Sequence, residues 1–313
     1  MNINIYGSTG VIGRKTLSLI DRDFPEIKVN FLCAKSDLNL LTQQIKKYKP
    51  KYAFLYDHEK IINFNYKIGK TKFLNFNELQ SYLISSKSDL SLLAISGYKS
   101  LYFLENIIQN TDNLGIVSKE AIVSAGHIFK KNKYFQKTNM FPIDSEHFSL
   151  HELFNKINTS INIKKVILTA SGGPFYKKKF NSLDNIKFKQ AIKHPKWKMG
   201  YKNSIDSATL VNKCLELVEA HYLFDIPYNK MNILIHPEAL VHSIVEFDNC
   251  VSQLNLFKNN MSIPILNFLL KSSNKNKSIK KELFINKYTN LQFEEVRRDV
   301  FPIFNYFNKI NKN

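Results

Sequence analysis

The sequence predicts an α/β protein: a doubly wound N-terminal domain followed by an α+β domain. Three observations predict it. Residues 3–6 (INIY) read as a short buried strand that runs into Gly7-x-x-Gly10-x-x-Gly13 and then an amphipathic helix over Arg14–Ile20. Strand-like and helical patterns then alternate to about residue 140, as parallel doubly wound sheets require. Beyond that point the alternation gives way to short phrases rich in Ser, His, Gly and acids. A glycine turn between the first strand and its helix makes the N-terminal domain Rossmann-like.

The elements follow in order. Val29–Cys33 is a second apolar strand, completing a βαβ unit with the first. Tyr52–Tyr56, Leu90–Ile95 and Asn113–Val117 read as further strands with helical patterns between them. Val166–Ala170 is a strand opening onto Ser171-Gly-Gly-Pro. Ser207–Phe224 has the apolar periodicity of one helix, with Asp206 or Ser207 as its N-cap. Asn232–Ile235 and Val241–Phe247 are strands. Residues 271–281, rich in Lys, Asn and Ser, read as a solvated loop, and the tail from Asn308 to Asn313 is expected to fray. No internal repeat is visible.

Composition narrows the function classes. A chain of 313 residues suggests about two domains. With 44% hydrophobic residues it can bury a core, which excludes a disordered chain. No run of about 18 uncharged apolar residues occurs, so no membrane span is expected. The N-terminus enters the first strand directly, so no secretory leader is expected. Cys33, Cys214 and Cys250 are far apart and form no CxxC, which fits a reducing cytoplasm. The net charge of +19 invites a nucleic-acid partner, but only Arg14, Arg22, Arg297 and Arg298 are arginines among 45 basic residues. Arg is the bidentate reader of bases and phosphates. A lysine surplus amid abundant Asn, Ile, Phe and Tyr reads as AT-rich coding drift on solvated faces, so no nucleic-acid partner is expected. A basic surface still favours small phosphorylated substrates.

Several phrases could carry chemistry. The glycine turn can seat a pyrophosphate at a helix N-terminus, or serve packing alone. The second strand ends Ala34-Lys35-Ser36-Asp37; Lys35 and Ser36 would suit the 2′-phosphate of NADP, though Lys35 also reads as one more surface lysine. In extended chain Asp144 and Glu146 would face one side, and two carboxylates so close call for a cation, Mg²⁺ or Mn²⁺ by their oxygen donors. An exposed acidic turn is the plain alternative. Asn212 and Glu216 share one face of the long helix. Glu216 could add a third carboxylate, and Ser207, Asn212 and Lys213 could hold an anion; an ordinary amphipathic helix is the alternative. Ser171-Gly-Gly-Pro offers a hydroxyl and backbone N–H groups to an oxyanion, and Trp197, the only tryptophan, sits between Pro195 and Gly200 as lid or as core. His236 and His242 flank a strand start and could be structural; His242 is taken into the substrate-binding set.

Together the phrases GSTGVIG, SKE at 118–120, PIDSEH at 142–147, TASGGPF at 169–175, HPKWKMG at 194–200, SIDSATLVNKCLELVEAHYLF at 204–224 and IHPEALVHS at 235–243 occur in this order. From residue 1 to about 304 the chain resembles the 1-deoxy-D-xylulose 5-phosphate reductoisomerase family. The resemblance implies isomerisation and NADPH-dependent reduction of that phosphorylated sugar to 2-C-methyl-D-erythritol 4-phosphate, for isoprenoid precursors made without mevalonate. It implies Asp144, Glu146 and Glu216 as ligands of Mg²⁺ or Mn²⁺, and Lys119 and Ser145 at the reacting end of the substrate. Ser171, His194, Ser207, Asn212 and Lys213 would grip its phosphate and hydroxyls, under a lid carrying Trp197 and Met199. NADPH would touch Thr9, Gly10, Val11, Ile12, Ala34, Lys35, Ser36, Ser118, Glu120 and Gly200. A homodimer is implied, with residues 1–140 binding NADPH, 141–275 forming the catalytic and dimerisation domain, and 276–313 a linker and remnant. Most of the family's C-terminal helical domain is expected to be missing, since the chain ends soon after LQFEEVRRDVFP at 291–302. Ser118 stands where the family has Asn, Ala34 and Ser36 where it has Gly and Asn, and Asn255–Met261 lacks its Gly-Glu-Pro-Asp character. Another NADP dehydrogenase is a weaker reading, because hydride transfer alone needs no three-carboxylate site. A non-catalytic binding protein is weaker too, because every ligand position is kept.

Overall fold

The computed structural model describes residues 1–64, 66–157, 162–193, 201–273 and 290–310. They form two compact units, the first running from Met1 to Asp144 and taking in the segment that begins at Met261. The second begins at Ser145, runs to Asn260 and takes in the end of the chain.

In the first unit, β1 (Asn2–Tyr6), α1 (Val11–Asp23) and β2 (Lys28–Ala34) make the expected βαβ unit. Gly13, Thr16, Leu17 and Ile20 form the buried stripe of α1 at helical spacing. Next come α2 (Leu38–Tyr48), β3 (Tyr52–Leu55), the short hairpin β4 (Lys67–Ile68) and β5 (Thr71–Phe73), and α3 (Phe76–Ser85). Asp37 caps α2 through Leu40 N at 3.0 Å, and Asn75 with Glu78 makes a capping box on α3. The unit continues with β6 (Ser88–Leu93), α4 (Leu101–Gln109), β7 (Thr111–Ile116), α5 (Lys119–Phe129) and β8 (Asn139–Pro142). The sheet order is β4-β5-β3-β2-β1-β6-β7-β8, parallel except for β4. The order reverses between β1 and β6, so the ligand crevice of such a sheet opens at the carboxyl ends of those strands. A polar group on the central strand is satisfied internally: Asn4 Oδ1 accepts from Asn30 Nδ2 at 3.2 Å and from the Tyr82 hydroxyl at 3.1 Å.

The second unit opens with α6 (Ser145–Phe154), then β9 (Ile163–Ala170), the single turn α7 (Phe188–Ala191), α8 (Tyr201–Ala208), α9 (Val211–Phe224), β10 (Met231–Ile235), β11 (Val241–Phe247) and β12 (Ser252–Leu256). The chain then supplies α10 (Ser262–Ser272) to the first unit and returns with β13 (Glu294–Glu295) and α11 (Ile303–Ile310). The second sheet is mixed, in the order β12-β11-β9-β10-β13. Only β9 and β10 run parallel.

Four local outcomes differ from the sequence reading. The Asp144–Glu146 phrase is a helix start rather than a strand, because β8 stops at Pro142 and Ser145 begins α6. The helix expected over Ser207–Phe224 is two helices, broken at Leu210, whose φ of 58° is left-handed while its side chain stays buried. Asp206 and Ser207 therefore lie inside α8 and cap nothing. The linear division at residues 140 and 275 also differs from the compact units. Ile265, Phe268 and Leu269 of α10 bury in the core of the first unit, where a Cβ on Gly115 would meet the Phe268 ring at 3.1 Å. Val296, Phe301, Phe304 and Phe307, expected in a linker and remnant, bury in the core of the second.

Candidate active site

The glycine turn is built from backbone. Gly7 and Ser8 both donate N–H to Cys33 O, at 2.9 and 2.8 Å, which ties the turn to the end of β2. Gly7 has a φ of 95°, and a Cβ there would lie 2.5 Å from Ala94 O. A Cβ on Gly13 would lie 2.3 Å from Gly7 O and 2.6 Å from Ser8 Cα, so helix and turn approach closely only because both residues are glycine. Gly10 precedes the first turn of α1, with Thr9, Val11 and Ile12 beside it. The first N–H groups of this 13-residue helix have no partner within it, and they carry its positive dipole end toward the crevice.

Next to this turn, Ala34 is buried while Lys35 and Ser36 are exposed. Tyr56 N–H donates to Ala34 O at 3.0 Å and Asp57 N–H to Lys35 O at 2.9 Å, which fixes this segment against the end of β3. Ser118 is buried before α5, and its hydroxyl donates to Ile95 O. Glu120 lies in the first turn of α5. The Cys33 thiol beside the turn is pushed up to about 12 by burial, so it is no nucleophile at neutral pH.

A second cluster is built from side chains. Asp144, Glu146 and Glu216 each offer a carboxylate oxygen, and these oxygens lie within 4.8 Å of one another. Glu146 comes from the first turn of α6, one residue beyond the Asp144–Ser145 junction, and Glu216 from α9. Glu216 is 1% exposed. Three carboxylates at this distance repel unless cations lie among them. Among the described residues, two buried lysines supply cations there. Lys119 Nζ donates to Asp144 at 3.2 Å, and Lys213 Nζ lies 2.7 Å from both Glu146 and Glu216. Asn212 Nδ2 donates to Glu216 and Ser145 Oγ to Glu146, the latter at 2.7 Å. His242, stacked on Phe257 with ring centroids 4.1 Å apart, brings Nδ1 to 3.8 Å from Glu146. An all-oxygen donor set of this spacing fits Mg²⁺ or Mn²⁺ and does not fit a thiolate metal. Cys214, one turn before Val218 on α9, is raised to about 11 by burial and then by the Glu216 charge, which keeps it a neutral thiol.

The break at Leu210 has a local consequence. It lets α9 begin afresh at Val211, and Asn212, Lys213 and Glu216 then fall on one helical face at i, i+3 and i+4 spacings. The Ser171 turn lies next to this region in chain and space: a Cβ on Gly173 would be 3.0 Å from Ser207 O. That close approach brings the Ser171 turn against α8 near Ser207.

Of the residues expected from sequence, the structure gathers Asp144, Ser145, Glu146, Asn212, Lys213, Glu216 and His242, with Lys119 on Asp144. Thr9, Gly10, Val11, Ile12, Ala34, Lys35 and Ser36 gather at the glycine turn and the adjoining strand end, and Ser118 and Glu120 at the start of α5. His194, Trp197, Met199 and Gly200 lie outside the described residues. One buried group was not singled out from sequence. His147 is fully buried, with Nε2 2.8 Å from the Glu216 carbonyl and Nδ1 3.5 Å from Glu219. A carbonyl only accepts, so Nε2 carries the proton. The signal was available: His147 follows Glu146 directly, and Glu219 follows Glu216 by three.

Fold and site define a class: dinucleotide-type α/β proteins whose side chains could hold a divalent cation on oxygen ligands. A family model described as 1-deoxy-D-xylulose 5-phosphate reductoisomerase matches residues 3–126, and one described as the C-terminal domain of that enzyme matches residues 140–224. The Pelagibacter ubique 1-deoxy-D-xylulose 5-phosphate reductoisomerase is 35% identical over 313 residues, covering 99% of this chain and 80% of its own length. The solved Zymomonas mobilis reductoisomerase in complex with NADPH superposes with a TM-score of 0.87 at 28% identity, over 100% of this chain and 81% of its own. A reductoisomerase solved with NADPH, fosmidomycin and magnesium gives 0.86 at 28% identity, over 100% of this chain and 79% of its own. The chain belongs to the 1-deoxy-D-xylulose 5-phosphate reductoisomerase family.

Proposed function

We propose that this chain isomerises 1-deoxy-D-xylulose 5-phosphate and reduces the product with NADPH to 2-C-methyl-D-erythritol 4-phosphate, with a divalent metal, in the isoprenoid precursor pathway that bypasses mevalonate. The observation that carries the proposal is the group of three carboxylate oxygens within 4.8 Å, from the residues that the resemblance implies as metal ligands. Asp144, Glu146 and Glu216 would hold Mg²⁺ or Mn²⁺. Bound there, the ion would act as a Lewis acid on the oxygens of the substrate's reacting end.

The chain's own side chains do the rest. Lys119, bonded to Asp144, and Ser145, bonded to Glu146, would hold and orient the reacting end. Asn212 and Lys213 project from the same face of α9 as Glu216, so one helix presents both a metal ligand and anion-binding groups. With Ser171, Ser207, His194 and His242 they would grip the phosphate and hydroxyls. Binding energy from that remote phosphate then orients the carbons that react. Trp197 and Met199 would close over the substrate and exclude water. Thr9, Gly10, Val11 and Ile12 would seat the NADPH pyrophosphate at the start of α1, and Ala34, Lys35 and Ser36 its 2′-phosphate. Ser118, Glu120 and Gly200 complete the cofactor set. The resemblance implies a homodimer, and the three free cysteines support a cytoplasmic setting.

The test follows NADPH absorbance after addition of 1-deoxy-D-xylulose 5-phosphate with Mn²⁺, and again with chelator. Loss of absorbance that the chelator stops is expected. A folded protein that oxidises no NADPH under these conditions would refute the proposal.

A further inference from the structure

We propose that Lys60 is a second determinant of NADPH over NADH, acting as a cation on the 2′-phosphate side of the cofactor crevice and screening Asp57. The inference rests on the NADPH reading above, to which it adds residues that lie outside the glycine turn and the Lys35–Ser36 segment.

Four observations converge on this position. First, Lys60 Nζ donates to Ser36 O at 3.0 Å, which places the ammonium at the very segment expected to meet the 2′-phosphate. Second, the same ammonium lies 3.3 Å from Asp57 Oδ2. Third, Asp57 is bound into that segment by its own N–H, which donates to Lys35 O at 2.9 Å. Fourth, the turn carrying both residues is anchored. His58 Nδ1 lies 2.8 Å from Leu55 O, and its ring packs against Phe54 and Phe76 at centroid distances of 5.6 and 5.3 Å.

The electrostatics then decide the role. An acid at this end of the crevice suits a free ribose hydroxyl and repels a phosphate. Asp37 is occupied on the N-terminus of α2, so Asp57 is the carboxylate next to Lys35 that a 2′-phosphate would meet. Lys60 neutralises it and leaves the segment with a net positive charge from Lys35. Removing Lys60 should therefore do two things: withdraw a cation and expose a repelling carboxylate. Half of the Lys60 side chain is solvent-accessible, so its ammonium can reach a ligand without unfolding the turn.

The experiment measures dissociation constants of 2′,5′-ADP and 5′-AMP by titration calorimetry, in the whole chain. The two probes differ only in the 2′-phosphate. Lys60→Ala should weaken 2′,5′-ADP about tenfold or more, the size of one charge-assisted hydrogen bond, and leave 5′-AMP unchanged. Adding Asp57→Asn to Lys60→Ala should recover most of the loss. Lys28→Ala, which removes an exposed lysine at the opposite end of β2, should change neither constant. Equal weakening of both probes, or no effect on 2′,5′-ADP, overturns the role of Lys60. A wild-type chain that binds the two probes equally overturns the NADPH reading itself, and with it this inference. Failure of Asp57→Asn to restore binding overturns the screening of Asp57.

Discussion

The two units make their binding groups from different material. In the first, the crevice is lined by backbone: N–H groups at the start of α1, a turn tied to Cys33 O, and two glycines that admit no Cβ. In the second, the cluster consists of side-chain charges, with Lys213 in contact with both Glu146 and Glu216. Backbone sites tolerate side-chain replacement, and charge clusters do not. The contrast can be broken or sharpened by mutation.

The largest effect is expected at Glu216. Glu216→Gln keeps the shape and removes the charge of a proposed ligand that is 1% exposed. Altering groups merely behind a ligand costs about 10–100-fold in metal affinity, so loss of a ligand charge should exceed about 100-fold. Mn²⁺ titration read by electron paramagnetic resonance measures it, with 2′,5′-ADP affinity as the check that the crevice of the first unit persists. Unchanged Mn²⁺ affinity would remove Glu216 from the cation site.

His147 should come next. It joins α6 to α9 through the Glu216 carbonyl, so it would position the proposed ligand Glu216 without being one. His147→Ala should cost about 10–100-fold in Mn²⁺ affinity. A purely structural histidine would instead lower thermal stability and leave the Mn²⁺ affinity of the folded fraction unchanged.

These two residues also show what the sequence could and could not reveal. The β1–α1–β2 unit, the glycine turn and most strands were legible, because local periodicity and turn chemistry dictate them. The three carboxylates were legible as residue types in a recurring phrase. Their geometry was not. Asp144 and Glu146 look alternate on paper, but Pro142 ends the ladder and the phrase turns into a helix. The apolar period of Ser207–Phe224 runs unbroken, yet Leu210 adopts a left-handed conformation in which its side chain reaches the core. Burial overrides local preference there. The course of Met261–Ser272 was hidden for the same reason: an apolar helix carries no mark of which core will receive it.

A smaller effect should separate two glycines of the same turn. Gly13→Ala places a methyl 2.3 Å from a backbone oxygen that cannot rotate away, and overpacking of this kind costs roughly 1–3 kcal/mol. Gly10→Ala meets only Gly7 O, at 3.3 Å, and should cost less. Urea unfolding measures both. Equal losses would mean that the turn yields as a whole, and the crevice would then be less rigid than its hydrogen bonds imply.

The smallest effect lies at the β11–β12 hairpin, far from any charge cluster in sequence. Cys250 is exposed and has a φ of 65°, a left-handed conformation that costs a residue with a Cβ about 1–2 kcal/mol. Cys250→Gly relieves that cost but loosens the unfolded chain, which takes back about 0.4–1 kcal/mol. A net gain of about 0.5–1 kcal/mol is expected in urea unfolding. The same variant should abolish labelling of the native protein by a thiol reagent near pH 8. Cys33 and Cys214 are buried or partly so, and burial has pushed their thiols up to about 12 and about 11. The sign for stability follows from linkage. Both folded values lie above the unfolded one, so their contribution is complete below about pH 8.5 and is lost as pH rises toward 11 and 12. Cys33→Ala should flatten that alkaline loss, whereas Cys250→Gly should leave its slope unchanged and only lift the curve.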